Sequence, residues 1–354
     1  MTKIKRALLV MLLLLGVALA YLALAPAAID PVAWEPGPAP AMTGPLAPNN
    51  RLAAAELIAQ GQLDGPEDVE TDAQGRLHAG TNAGTIMRVE GNKVTQFADT
   101  GGRPLGLDFA PDGALIVADA VKGLLSVDAA GQVTLLSDSA EGGRFGFTDD
   151  VAVASDGMIY FSDASAKFGF GDHMLDLLEG RAHGRLLQYD PRSKATTVLL
   201  KDLYFANGVA LAADESFVVV SETYRFRLTR YWLRGPKAGT SEVFAVDLPG
   251  FPDGVAQSGR GTFWVAMFTV RNPAGDFLAS RPFLKKMVAN LPRLLWPKPE
   301  PYGLVIELDE QGQVLRSLQD PSGGFVEQVT SAHEQGGKLY LGHLHRDRIT
   351  RMAL

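Results

Sequence analysis

Asp68-Val69-Glu70-Thr71-Asp72-Ala73-Gln74-Gly75-Arg76-Leu77 and Gly106-Leu107-Asp108-Phe109-Ala110-Pro111-Asp112-Gly113-Ala114-Leu115 are two copies of one pattern. Each reads as a short apolar strand, a turn built on Asp and Gly, and the start of a second strand, which is a hairpin signature. A third copy opens at Asp150-Val151 and closes at Asp156-Gly157-Met158-Ile159-Tyr160. A fourth opens at Gly208-Val209 and a fifth at Gly254-Val255, and a looser sixth runs from Val329-Thr330 to Gly337-Lys338-Leu339-Tyr340. Third strands ending in an acid follow four of them: Met87–Glu90, Leu125–Asp128, Leu187–Asp190 and Val305–Asp309.

Successive copies begin 38, 44, 58, 46 and about 75 residues apart. The shortest interval is near one four-stranded blade, and the longer ones carry insertions. Six units in roughly 300 residues predict an all-β, six-bladed β-propeller over residues 51–354. A sandwich or jelly roll would not repeat one hairpin six times. An apolar segment at 52–58 precedes the first copy and is expected to complete the last blade, closing the ring and removing free edges.

The composition agrees. The chain has 354 residues, 46% hydrophobic, with 38 Gly and 21 Pro, which favours many turns and short strands. There is no Cys, so disulfides, thiolate metal sites and thiol nucleophiles are excluded. The net charge of −7 argues against nucleic acid as a partner.

Residues 1–6 carry Lys3, Lys5 and Arg6, and residues 7–25 carry no charge. Nineteen apolar residues at about 1.5 Å each nearly span a ~30 Å hydrocarbon core. The expected reading is a transmembrane signal anchor, with the N-terminus cytoplasmic and the propeller on the periplasmic or extracytoplasmic side. Secretion after signal cleavage is the alternative. Residues 26–50 hold seven prolines and read as an extended linker of at most about 75 Å.

In a propeller the first strand of each blade lines the axis. The residue just before each repeat's Gly or Asp is Glu67, Leu105, Asp149, Asn207 and Asp253, with the sixth position near Gln328. Three carboxylates and one amide at one repeat phase converge on the axis. Carboxylates so gathered cannot all ionise uncompensated. Hard oxygen donors point to Ca²⁺ as the cofactor, with Mg²⁺ less suited. Each position taken singly also fits an ordinary Pro/Asp/Asn turn.

Gly65-Pro66-Glu67, Phe147-Thr148-Asp149-Asp150, Phe205-Ala206-Asn207-Gly208-Val209 and Gly250-Phe251-Pro252-Asp253-Gly254 resemble the strictosidine-synthase-like propellers. So do Lys167-Phe168-Gly169 through Leu177-Leu178-Glu179-Gly180-Arg181, His183-Gly184-Arg185-Leu186-Leu187, and His333-Glu334. The likeness extends to the adipocyte plasma-membrane-associated-protein-like branch and to the wider superfamily of gluconolactonases and paraoxonases. It implies Glu67, Asn207 and Asp253 as calcium ligands, with Asp149 standing where the family usually has Asn. It also implies a hydrolase of small esters or lactones, with Asp253 as base or nucleophile and His333 as a second base. Strictosidine synthase itself carries a catalytic glutamate on its last blade. The corresponding residue here is Thr330, with Glu327 offset by three, so a C–N condensing lyase is disfavoured. A non-catalytic binding or scaffold propeller with structural calcium stays open.

His343-x-His345 reads as structural or solvated, and no Gly-x-Ser-x-Gly or Walker A motif is present. Residues 174–178 are expected to form a short helix in an insertion. Residues 281–299 interleave Arg281, Lys285, Lys286, Arg293 and Lys298 with apolar side chains. That basic amphipathic insertion has three open readings: an interfacial membrane helix, a lid over the mouth, or a helix packed on the propeller flank.

Overall fold

The structure is a computed structural model that describes residues 3–354. Six four-stranded antiparallel sheets are arranged as blades around one axis. Their inner strands are Val69–Thr71, Pro104–Phe109, Thr148–Val153, Ala206–Leu211, Gly250–Gln257 and Val329–Gln335. The last blade is closed by the N-terminal strand Glu56–Ile58, which pairs with Ile349–Ala353. The expected closing strand is therefore there but short. Residues Arg51–Ala54 form a 3-10 turn, with Leu52 fully buried beneath it.

Apolar side chains alternating along the strands fill the spaces between neighbouring blades. One such cluster joins Phe217, Val219 and Leu228 of the fourth blade to Phe263, Val265 and Met267 of the fifth. Each large side chain buried in this way contributes about 1.5–3 kcal/mol. Blade-to-blade packing, more than any single sheet, thus holds the ring together.

Helix α1, Lys3–Leu24, carries no buried residue and has the length and hydropathy to cross a membrane. The segment after it is not a free tether. Its prolines give an extended path, but that path is packed on the propeller. Ile29 and Leu46 are buried, and Val32 N–H donates to Glu179 O at 3.0 Å. Trp34 lies against Phe226 at 5.6 Å between ring centroids and carries the Arg225 guanidinium at 4.3 Å.

The insertion in the fifth blade is helical and packed on its inner face. It holds two short helices, α3 (Pro273–Ala279) and α4 (Pro282–Ala289), then a 3-10 turn at Arg293–Leu295. Pro282 starts α4 and Pro292 stops any continuation, so the helix covers only part of the 281–299 insertion. Lys285 is buried and donates from Nζ to Val32 O at 2.8 Å, whereas Phe283 is exposed. A further helix in the third blade, α2 (His173–Glu179), lies where the sequence places the short helix.

Candidate functional site

The axial site is built by an irregularity repeated in the inner strands. Pairing register shifts between Pro104 and Leu107, Thr148 and Val151, Ala206 and Val209, Pro252 and Val255, and Val329 and Ser331. Bulges of this kind re-aim side chains, and the dipeptides inside four of them are Leu105-Gly106, Asp149-Asp150, Asn207-Gly208 and Asp253-Gly254. In the sixth blade the equivalent residue is Thr330, not one near Gln328. Its neighbour Ser331 meets Gly254 as Gly254 meets Gly208, and the Thr330 hydroxyl donates to Glu67 O at 2.6 Å. The loose sixth copy hid this register.

Glycine follows the ring residue where neighbouring inner strands approach most closely. A Cβ on Gly208 would stand 2.4 Å from Val255 N, and one on Gly254 would stand 2.5 Å from Thr330 O. Where an acid occupies this phase it bridges to the next blade. Asp68 Oδ2 accepts from Leu107 N at 2.9 Å, and Asp150 Oδ2 from Val209 N at 2.7 Å.

Glu67, Asp149, Asn207 and Asp253 are all buried; the first three line the axial cavity, and Asp253 meets the Asn207 side chain. The structure thus brings together the four residues read from the sequence as ligands. Burial raises the Glu67 carboxyl well above its usual range, and the charges of Asp253 and Asp68 add to the effect. Asp149 is raised likewise, by burial and then by Glu67 and Asp253. Asp253 is pushed up to about 8, chiefly by burial, against a hydrogen bond from Asn207. Asp149 Oδ2 is buried with no hydrogen-bond partner.

Among the described residues, no three His, Asp or Glu side chains are gathered tightly enough to hold an ion as they stand. The donor set nonetheless suits a hard divalent cation: three carboxylates, one of them Asp149 with a buried oxygen that has no partner, and one amide. Mutual repulsion favours a spread arrangement of such a ring.

His333 does not join Asp253. Its Nδ1 lies 3.2 Å from Glu70 Oε2, deeper along the axis, with Asp68 and Asp108 nearby. Burial pushes Asp108 up to about 8 and lowers the His333 imidazole. A cavity of about 320 Å³ runs along the axis and is lined by both layers, Glu67, Asp149 and Asn207 as well as Glu70 and His333. Glu327 is outside it, paired with Arg346 at 2.6 Å. His343 is structural: its ring bonds Glu327 O at 3.1 Å and Thr350 Oγ1 at 2.8 Å.

On the opposite side the ring is roofed. Leu105, Phe147, Phe205 and Tyr224 form a buried apolar layer, with Leu177 of α2 packed on it. Phe205 and Tyr224 stack at 4.5 Å, and Tyr224 Oη donates to His173 O at 3.0 Å. Helix α2 is itself fixed by Glu179, which accepts from Lys167 Nζ at 2.6 Å and from Asp30 N at 2.9 Å, and pairs with His183 Nε2 at 2.7 Å.

Two groups escaped the sequence reading. Arg103 is 1% exposed beside Glu67 and Asp149, donates to Gly65 O at 3.0 Å, and leaves its Nε unpaired. The available signal was repeat phase: the residue two before the ring position is Phe147, Phe205 and Phe251 in three copies and Arg103 in the second. The second group is a set of buried acids ending the second strands, which hold the loops entering the ring. Asp119 accepts from Arg103 N, Asp163 from Phe147 N, and Glu222 from Tyr204 N.

Fold and site together define a six-bladed propeller with an acidic ring on its axis and a membrane-type helix at its N-terminus. Residues 149–236 match the strictosidine synthase family model, and residues 44–89 match that of the strictosidine synthase-like N-terminal region. The adipocyte plasma membrane-associated protein of Rattus norvegicus is 37% identical over 350 residues, covering 92% of this chain and 93% of the relative. A gluconolactonase from Xanthomonas campestris superposes with a TM-score of 0.61 at 20% identity, over 94% of this chain and 99% of that one. Regucalcin, a calcium-binding protein from Agrobacterium tumefaciens, gives 0.60 at 16% identity, over 84% and 92%. The chain belongs to the strictosidine-synthase-like family, in the branch of the adipocyte plasma membrane-associated protein. The two solved structures speak to the fold alone.

Proposed function

We propose that this protein is a membrane-anchored, calcium-dependent hydrolase of small esters or lactones, with its propeller on the extracytoplasmic side. The observation that carries the reading is the buried ring of Glu67, Asp149, Asn207 and Asp253, whose charge has no sufficient counterpart in the protein. These four residues would hold Ca²⁺. When bound, the cation supplies Lewis acidity toward a carbonyl oxygen and stabilises developing negative charge there. Asp253 accepts a proton from the attacking water at a carboxylate oxygen, steadied by the Asn207 amide. Arg103 offers its unpaired Nε–H beside the ring, and the Phe147, Phe205 and Tyr224 layer closes the ring to water from its roofed side. His333, lining the same cavity in its Glu70 pair, is the second proton acceptor. A gluconolactonase and a calcium-binding protein share this fold, which accommodates such a substrate and such a metal without deciding either.

The test is turnover of phenyl acetate and a γ-lactone by the full chain in detergent, with Ca²⁺ and then with chelator. Turnover lost on chelation while circular dichroism is unchanged, and lost again in Asp253→Asn, supports the hydrolase. The buried roof of Leu105, Phe147, Phe205 and Tyr224 favours one second reading, a binding propeller with structural calcium. That reading expects no turnover and a melting temperature that rises with Ca²⁺. A condensing lyase has less support, since the sixth ring position holds the Thr330 hydroxyl and Glu327 is paired outside the cavity.

A further inference from the structure

The anchor helix and the fifth-blade insertion meet. Helix α4 packs against α1, and the Asn290 side chain donates from Nδ2 to the carbonyl oxygens of Leu22 and Ala25, both at 3.2 Å. Ala27 and Ile29, just beyond α1, pack with Leu278, Val288 and Ala289 of the insertion. Since the following segment is also packed, the propeller cannot swing freely about its anchor. The insertion is held where α1 leaves the bilayer.

At that place the insertion exposes Phe277 (54%), Phe283 (58%), Leu294 (81%) and Leu295 (61%). Isolated exposed hydrophobes are ordinary, but four large ones on one insertion next to a membrane helix are not. Residues 281–298 carry five basic side chains and no acidic one, in a chain of net charge −7. Lys285 is consumed in the buried bond to Val32 O and Arg293 pairs with Asp172, which leaves Arg281, Lys286 and Lys298 toward the surface. Basic side chains around protruding aromatic and leucine side chains suit the interface of an anionic bilayer, where the apolar tips enter and the cations meet headgroups.

We propose that residues 273–298 are a second membrane contact, docked on anionic phospholipid headgroups beside the anchor. The same element bears on the roof of the axial site: Arg293 donates to Gly171 O at 3.0 Å and pairs with Asp172 at 2.5 Å, at the start of α2. The propeller is thereby held with its roofed face toward the bilayer. This inference rests on α1 being the anchor and uses no turnover.

The chain lacks Cys, so single cysteines can be labelled specifically with an environment-sensitive fluorophore. The full chain carrying Leu294→Cys or Phe283→Cys would be reconstituted into vesicles of phosphatidylcholine with phosphatidylglycerol. Leu135→Cys, on the outer strand of the second blade, is the aqueous control, and Leu13→Cys in α1 is the buried-in-lipid control. The expected result is emission at 283 and 294 shifted to the blue and quenched several-fold more by doxyl-lipid than at 135. Quenching should fall toward the control in Lys286→Glu/Lys298→Glu, and in vesicles of phosphatidylcholine alone. Quenching at 283 and 294 no greater than at 135, with Leu13 quenched, overturns the proposal. Quenching indifferent to lipid charge overturns the choice of anionic headgroups. An unquenched Leu13 overturns the anchor reading on which the proposal rests.

Discussion

Arg185 and Asp163 form a buried pair, with Nη2 2.5 Å from Oδ2, and the other oxygen of Asp163 takes the N–H groups of Gly146 and Phe147 at 3.0 and 2.9 Å. One carboxylate therefore joins two strands of the third blade to the loop that delivers Asp149. Asp163→Ala leaves a largely buried guanidinium and two backbone donors unpaired. Breaking such a pair costs about 3–5 kcal/mol. Urea denaturation should show that loss, and Asp163→Asn should recover part of it by keeping an acceptor for the backbone.

The axial ring predicts an opposite sign. Glu67, Asp149 and Asp253 raise one another's affinity for protons, so removing one charge relieves the others. In chelator, Asp149→Asn should melt higher than the wild type. A relief of about 1–2 kcal/mol corresponds to roughly 1–3 °C for a chain of this size. With Ca²⁺ the order should reverse, because the variant loses an anionic ligand. Differential scanning calorimetry with and without Ca²⁺ reads both signs.

Histidine burial gives a pH dependence. His78, wedged between Phe97 and Phe109, and His343, on Thr350, are both pushed down to about 4 by burial. The unfolded chain binds their protons near 6.5, so this stability is present above that pH and is lost as the pH falls toward 4. Each group contributes on the order of 3 kcal/mol across the window. The raised Asp108 and Asp253 act in the opposite direction, losing stability as the pH rises from about 4 to 8. A comparison of wild type with His343→Gln isolates the histidine part. The variant should show a flatter loss of stability from pH 6.5 to 4, and equal slopes would contradict the assignment.

Packing of the proline-rich segment sets a further expectation. Trp34, Leu46 and Asn49 fill positions on the fourth and fifth blades, and Arg271 donates to Gly37 O at 2.7 Å. A chain beginning at residue 51 uncovers Phe226, Leu248 and Arg271. Exposing two or three large apolar side chains costs about 3–6 kcal/mol, so it should melt at least 5 °C or so below a chain beginning at residue 26. Equal melting temperatures would show that the segment is a passenger.

The sequence by itself determined the number of blades and the phase of the axial ring. A hairpin repeated six times can close only as a ring, and a period-two strand sends every copy of one phase to the same axis. Glu67, Asp149, Asn207 and Asp253 were legible for that reason, and α1 for its uninterrupted hydropathy. Contacts far apart in sequence carry no such period. That Thr330 completes the ring depends on the bulge between Val329 and Ser331. That His333 pairs with Glu70 rather than approaching Asp253 depends on how far along the axis each strand carries its side chain. Arg103, Asp163 and Trp34 were placed by packing across blades, and the meeting of Asn290 with Leu22 and Ala25 by the path of a segment whose prolines suggested only extension. Local pattern fixes which way a side chain points from its own strand; only closure of the ring decides what it meets.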